Sequence, residues 1–140
     1  MGQRPAKSLR STIIALLKMS NFRYFNQNPV NSNINDCVCR AICNVTGLSY
    51  RTVDKLLSVT AKTNKCEKLC VCCYEKLLAK LGYTQYFCNN DETVKDIAIM
   101  YRKHKIIIRI KRHLTCAIYG IVEDTWDCSD NYVDCFWIYE

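Results

Sequence analysis

A cysteine at the start of a predicted helix is the residue in this sequence best placed for nucleophilic chemistry. Asp36 is a suitable N-cap, and the apolar residues that follow recur at helical spacing until Gly47. Cys37 would therefore occupy the first helical position, where the partial positive charge of the helix N-terminus favours a thiolate over a thiol. A nucleophile of this kind needs a base, a group that orients the base, and a cleft.

Two histidines are available as the base. His104 lies in a cationic run, Arg-Lys-His-Lys, and we expect it at the surface. His113 begins a predicted strand that turns back into the next strand, so its neighbours can be counted across the hairpin. If paired residue numbers sum to about 240, His113 faces Asp127, and Asp124 lies about 10 Å further along. The count favours Asp127 as the orienting carboxylate, with Asp124 as the alternative.

An Asn-rich segment, residues 22–36, precedes the candidate nucleophile. It contains Pro29, which predicts an irregular arm. Its side-chain amides could donate a hydrogen bond to an oxyanion that develops beside the thiol. They could equally be turn residues that satisfy their own backbone. These asparagines are Asn26, Asn28, Asn31, Asn33 and Asn35.

The elements that must position these groups fall into two blocks. Helical periodicity predicts helices that begin near residues 37, 49, 67 and 92, with one short strand at 84–88. Alternating or continuous apolar residues then predict strands at 105–110, 113–119, 122–127 and 132–139. Because short turns join these last strands, we predict an antiparallel meander. Segregated elements of this kind form an α+β domain with the helices packed on one side of the sheet.

Together these motifs resemble small phage and prophage proteins of the papain-like cysteine peptidase superfamily. The resemblance rests on a Tyr-Phe-Asn-x-Asn-Pro segment, an Asp-Cys-Val-x-Arg-Ala-Ile helix start, and a closing hairpin with His and Asp-Thr-Trp-Asp. In this sequence they are residues 24–29, residues 36–42, and His113 with residues 124–127 and Asp130. The resemblance implies a papain-like fold in which the nucleophile helix comes first and packs on the C-terminal meander.

The resemblance covers residues 22–140 and leaves residues 1–21 as a basic N-terminal extension. It implies a cysteine-dependent hydrolase that cleaves a peptide, isopeptide or amide bond through a thioester, with a protein or peptide substrate and no cofactor. In the implied triad, Cys37 attacks the carbonyl, His113 transfers the proton and Asp127 holds the imidazole.

The Asp36-Cys37 pair is also similar to the start of the nucleophile helix in bacteriocin-leader peptidases. In those enzymes a Gln six positions before the cysteine helps form the oxyanion hole. By that spacing the candidate here is Asn31, and Asn28 is a second one. The backbone N–H of Cys37 would be the other donor.

The cysteine content leaves a second chemistry open, because the chain carries eleven cysteines. Thiolates are good zinc ligands, and a cysteine-rich zinc-binding module is one alternative function. If a helix begins near residue 67, its cysteines cannot all share one face, and no second clean pair follows, so we predict no metal site. The candidate ligands are Cys66, Cys70, Cys72 and Cys73. An odd cysteine count without a usable secretion signal indicates reduced thiols in a cytoplasm.

The net charge is +7, with basic residues clustered at 4–18 and 102–112. Such clusters could make the chain a catalytically inactive papain-like adaptor that binds a partner through its basic face. No nucleic-acid-binding motif accompanies them, which favours a solvated surface over a nucleic-acid partner. No apolar run approaches the roughly 20 residues that a membrane span needs.

Overall fold

The computed structural model describes residues 21–30 and 35–140, which form four helices and one six-stranded mixed sheet. The helices are α1 (Cys37–Thr46), α2 (Tyr50–Asn64), α3 (Val71–Lys80) and α4 (Val94–Met100). The strands are β1 (Phe22–Tyr24), β2 (Tyr83–Phe87), β3 (Lys105–Ile110), β4 (His113–Ile118), β5 (Ile121–Asp124) and β6 (Val133–Tyr139). The predicted α+β class is therefore confirmed. Of the predicted extension, residues 1–20 lie outside the described part of the chain.

Helix α1 begins and ends where the sequence predicts. It starts at Cys37 and stops at Gly47, whose φ of 76° is a left-handed conformation that glycine adopts with the least strain. The N–H of Gly47 donates back to Cys43 O at 2.9 Å. Asp36 holds the N-cap position, but its side chain makes no capping hydrogen bond. The capping role expected for this carboxylate is wrong, because other side chains bind it.

The later helices begin at side-chain caps, two of which the sequence interpretation did not identify. Ser49 caps α2 by accepting a hydrogen bond from Thr52 N at 3.1 Å, which agrees with the predicted helix start near residue 49. Cys70 caps α3 through its sulfur, so this helix begins at residue 71 and not near 67. Thr93 caps α4 in a capping box with Asp96, so α4 begins later than the predicted start near residue 92.

The sheet order is β1-β5-β4-β3-β6-β2, which corrects the predicted four-stranded meander. Strands β3, β4 and β5 follow one another as predicted, but β6 crosses back and pairs antiparallel with β3. Strand β6 is buried along most of its length, which suits a central strand better than a strand beside the short β5. Strand β1 pairs in parallel with β5, and β2 pairs with β6.

Helices cover both faces of the sheet, so the prediction that they pack on one side is wrong. Ile107 and Trp137 face a core built with α1, α2 and α3. Ile106, Ile108 and Phe136 face a second core built with α4. Successive strand side chains point to opposite faces, and the continuous apolar run of β3 therefore supplies both cores.

Candidate active site

Cys37 is half-buried at the first residue of α1 and interacts with His113 and with the backbone N–H of Leu114. Burial raises the pKa of the Cys37 thiol. The hydrogen bond to His113, the Leu114 N–H and the positive charge of the imidazolium outweigh burial and lower this pKa below its ordinary value of 9.0. The site therefore favours the thiolate, which is the nucleophilic form of cysteine.

His113 is joined to Asp124, with 2.6 Å between His113 Nε2 and Asp124 Oδ2. Burial lowers the pKa of His113, but hydrogen bonds to Asp124, Cys128 and Cys37 and the charge of Asp124 raise it to about 11. Burial raises the pKa of Asp124, and the contact with His113 more than offsets that effect and lowers it. Since Asp124 takes Nε2, Nδ1 is the ring nitrogen left for Cys37.

The prediction that Asp127 contacts and orients His113 is wrong. The alternative residue, Asp124, lies against the imidazole instead. The Asp127 carboxylate accepts hydrogen bonds from the backbone N–H of Ser129, at 3.0 Å, and from its hydroxyl. Asp127 therefore stabilises the turn after β5.

The error has a physical cause in the register and length of the hairpin. Ala117 pairs with Val122, which is one residue away from the assumed register, and β5 ends at Asp124. Continuing the observed register places Asp124 across from Thr115. His113 is two residues from Thr115 on the same strand face, and a long imidazole side chain reaches across that diagonal.

Arg40 is a buried residue that ties α1 to the site, and the sequence interpretation gave it no role. Its guanidinium forms an ion pair with Asp36. Its Nη2 also lies 3.6 Å from Asp124 Oδ1 and 3.4 Å from Thr125 Oγ1. The hydroxyl of Tyr50 donates to Asp36 Oδ2 at 2.8 Å. The available signal was the spacing of Asp36 and Arg40, which places them on one face of a helix start.

Of the two residues predicted to form the oxyanion hole, the structure describes only one. Asn31 lies outside the described residues. Asn28 is buried, and its Nδ2 donates to Asp36 Oδ2 at 3.0 Å, directly before the nucleophile. The N–H of Cys37 belongs to a first helical turn, where backbone donors have no partner within the helix. The oxyanion roles of Asn28 and Asn31 stay predictions.

Trp126 and Cys128 border the imidazole on the Asp124 side. The ring centroids of His113 and Trp126 are 5.0 Å apart with a tilt of 48°. A ring in this contact reduces the access of water to the imidazole, and a hydrogen bond is stronger where water is excluded. Cys128 is fully buried, with Sγ 3.9 Å from Asp124 Oδ2. No spacing in the sequence pointed to Cys128.

A cleft of about 200 Å³ opens beside Cys37 and His113. Its walls are mainly apolar, and Leu69 and Val71 at its rim are 44% and 45% exposed. Leu69 is exposed because it lies in the turn that precedes α3. The other wall residues include Val38, Tyr74, Leu114, Arg109 and Arg112.

Two groups of side chains in the described residues have the composition of a metal site. The sulfur atoms of Cys66, Cys70 and Cys72 lie within 4.8 Å of one another, and so do one ligand atom each of His113, Asp124 and Cys128. The sequence argument against a cysteine site assumed that Cys70 lies inside a helix. Cys70 is the cap of α3, so that argument fails. All eleven cysteines lie within the described residues, and none of them forms a disulfide.

The basic cluster at 102–112 does not form one continuous cationic face. Arg109 is half-buried, with Nη1 3.0 Å from Glu75 Oε2, and its guanidinium lies over the Trp137 ring. Lys103, Lys105, Lys111 and Arg112 are exposed. The cluster at 4–18 lies outside the described residues.

Within 21–30 and 35–140, no helix has both the length and the apolar character to cross a membrane.

The structure thus brings together Cys37, His113 and Asp124, and it separates Asp127 from them. Arg40, Trp126 and Cys128 surround this row of three residues. No protein-family model, curated protein or solved structure matches the chain.

Proposed function

We propose that this chain is a cysteine-dependent hydrolase of the papain-like type, which cleaves a peptide, isopeptide or amide bond through a thioester. One observation carries the proposal, namely the row of contacts from the Cys37 thiol through His113 to the Asp124 carboxylate. Nucleophile, base and orienting group stand in the order that acyl transfer by a cysteine requires.

In the first half of the reaction, the Cys37 thiolate attacks the carbonyl carbon, and the electron pair of the C=O bond moves to its oxygen. The resulting oxyanion is stabilised by N–H donors near the thiol, of which the Cys37 N–H is one. The His113 imidazolium gives its proton to the nitrogen of the leaving group. The C–N bond breaks, and the acyl group remains on Cys37 as a thioester.

In the second half, His113 acts as a base. The neutral imidazole removes a proton from a water molecule, which attacks the thioester carbonyl. The C–S bond breaks, a carboxylic acid leaves, and the thiolate–imidazolium pair is restored. Asp124 accepts the hydrogen bond from Nε2–H in both halves, which fixes the ring orientation and stabilises its charged form.

The cleft supports a protein or peptide as the substrate. Its apolar walls suit the side chains of a peptide, and few polar groups line it besides Cys37, His113 and the arginines. Leu69 and Val71 offer apolar contact at the rim, beside the thiol. A segment bound along these walls would present its backbone carbonyl to Cys37.

Labelling with a peptide that carries a thiol-reactive electrophile tests the proposal. The wild type should be labelled at Cys37, and Cys37→Ala should not be labelled there. His113→Ala should react about 10²–10⁴ times more slowly, because the base is gone. Asp124→Asn should show a smaller loss, while the matched change Asp127→Asn should leave the rate unchanged because this carboxylate serves only the turn.

The readout is the labelling rate of Cys37, measured by mass spectrometry of the digested protein. Equal rates for the wild type and His113→Ala would overturn the proposal. That result would favour the alternative, a catalytically inactive adaptor in which Cys37 is an ordinary half-buried thiol.

A further inference from the structure

A second group of thiols lies in the connection between α2 and α3. Helix α2 ends at Asn64, and its C-cap residue Lys65 has a left-handed φ of 53° that redirects the chain. Cys66 follows directly, and its N–H bonds to Ala61 O at 3.0 Å, so its position is fixed by the end of α2. A short turn then leads to Cys70, the cap of α3, and Cys72 lies in the first turn of that helix.

This path brings three sulfur atoms together, since those of Cys66, Cys70 and Cys72 lie within 4.8 Å of one another. A tetrahedral zinc ion with Zn–S bonds of about 2.3 Å holds its sulfur ligands about 3.8 Å apart. Small rotations about the side-chain bonds close that gap. The observed separations therefore suit a shared ion without movement of the backbone.

The sulfur atoms are held in position and can be reached from solvent. The backbone N–H of Cys73 donates to Cys70 Sγ at 3.4 Å, which orients this sulfur at the start of α3. Cys66 and Cys70 are half-buried and Cys72 is exposed, so an ion has a route from solvent. The thiol of Cys73 also interacts with Cys66, but it is buried, donates to Leu57 O at 3.4 Å and lies outside this group of three sulfurs. A solvent molecule would therefore hold the fourth position of the ion.

We infer that Cys66, Cys70 and Cys72 form a zinc site that is separate from the Cys37 centre. Binding replaces the thiol protons with one shared Zn²⁺ and releases those protons to solvent. The ion would fix the turn between α2 and α3. Leu69 and Val71 belong to this segment and form the rim of the cleft, so the same ion would fix one wall of the proposed substrate site.

Cobalt replaces zinc as a coloured probe in the test. The full chain is purified with a phosphine reductant, stripped of metal with a chelator, and titrated with Co²⁺. We expect sulfur-to-cobalt charge-transfer bands and the visible bands of tetrahedral Co²⁺, saturating at one ion per chain and bleached by Zn²⁺. Absence of these bands in the reduced wild type would overturn the inference.

Serine substitutions locate the ion without disturbing the fold. Cys72→Ser alters an exposed residue, and Cys70→Ser keeps a good N-cap while removing a soft ligand. Both should lose the charge-transfer bands, whereas Cys88→Ser, a half-buried cysteine outside the cluster, should keep them.

His113→Ala separates this site from the other candidate ligand group, His113 with Asp124 and Cys128. The bands should persist in this variant. Their loss there, or unchanged cobalt affinity in Cys72→Ser, would overturn the inference. The readout of this test is a metal spectrum, so its result does not depend on whether Cys37 is labelled. The failure of the zinc inference can therefore be distinguished from the failure of the proposed function.

Discussion

Two opposing effects set the chemistry of Cys37. Burial disfavours its thiolate, and the neighbouring imidazolium with the Leu114 N–H favours it more strongly. His113 in turn keeps its charge despite burial because the Asp124 carboxylate accepts a hydrogen bond from its Nε2–H, which raises the pKa of the imidazole. The reactivity of the thiol therefore depends on a side chain from a distant part of the sequence.

The pH dependence of alkylation should report this balance. The pKa of Cys37 is lowered from 9.0, so reaction with iodoacetamide should continue below that pH and fade only as the pH falls through the lowered value. In His113→Ala the main lowering effect is gone while burial, which raises the pKa of Cys37, remains, so the midpoint should move upward. The measurement is the rate at Cys37 across the pH range, with Asp127→Asn as a control. A midpoint shared by wild type and His113→Ala would contradict the balance described.

At the scale of single residues, the sequence indicated Cys37 and His113, but it favoured Asp127 over Asp124 as the residue that holds the imidazole. A cysteine after an N-cap residue is visible in sequence, and so is a histidine at the start of a strand. The choice between Asp124 and Asp127 depends on one residue of hairpin register and on where β5 ends. The geometry of the turn between β4 and β5 sets both the register and the end of β5. A shift of one residue in the register moves every side chain of a strand to the other face of the sheet.

Among the elements, α1 is the one on which the site depends most. Its buried Arg40 pairs with Asp36 at the helix start and reaches Asp124 at the end of β5. The hydroxyl of Tyr50, at the start of α2, donates a hydrogen bond to the Asp36 carboxylate. This cluster fixes where the first turn of α1, and so Cys37, sits relative to the sheet.

Replacing Arg40 should therefore destabilise the fold strongly. Arg40→Met leaves Asp36 buried without its counter-charge, and we expect a loss of about 3–5 kcal/mol in the free energy of unfolding. The double variant Arg40→Met/Asp36→Asn should recover part of this loss, since a neutral amide needs no counter-charge. Urea denaturation measures the free energy of unfolding of the single and the double variant.

The exposed Arg51 on α2 provides the matched control, and Arg51→Met should change stability by no more than about 0.5 kcal/mol. Similar stabilities for Arg40→Met and Arg51→Met would show that the buried ion pair does not hold α1 in place.

Helix ends were predictable where the cap followed the common pattern. Ser49 and Gly47 are residues typical of a helix start and a helix stop, and the predicted start of α2 near residue 49 and the predicted end of α1 at Gly47 are both confirmed. Cys70 is an unusual cap, and the capping box of Thr93 uses Asp96 where Glu or Gln is typical. Because Cys70 was assumed to lie inside a helix, the sequence argument placed its side chain away from those of the other cysteines. As a cap residue, Cys70 is not bound by the spacing of side chains around a helix, and its sulfur can lie beside those of Cys66 and Cys72.

For the molecule as a whole, the site joins the first described helix to strands near the C-terminal end. The sequence predicted the α+β class and this order of blocks, since periodicity is local information. It did not predict that β6 crosses to β3 or that β1 pairs with β5. Those pairings are long-range, and neither turn residues nor apolar alternation specifies a partner. The continuous apolar run of β3 was the one signal that both faces are covered.

The most direct test of the central claim is an NMR titration of His113. With histidine labelled in its ring and the two signals assigned through His104→Gln, we expect His113 to keep its proton far above its ordinary pKa of 6.5, toward the value of about 11. Cys37→Ala should move its midpoint downward, and Asp124→Asn should move it further. A midpoint at or below 6.5 in the wild type, or one that Cys37→Ala leaves unchanged, would contradict the claim that this thiol and this imidazole share a proton.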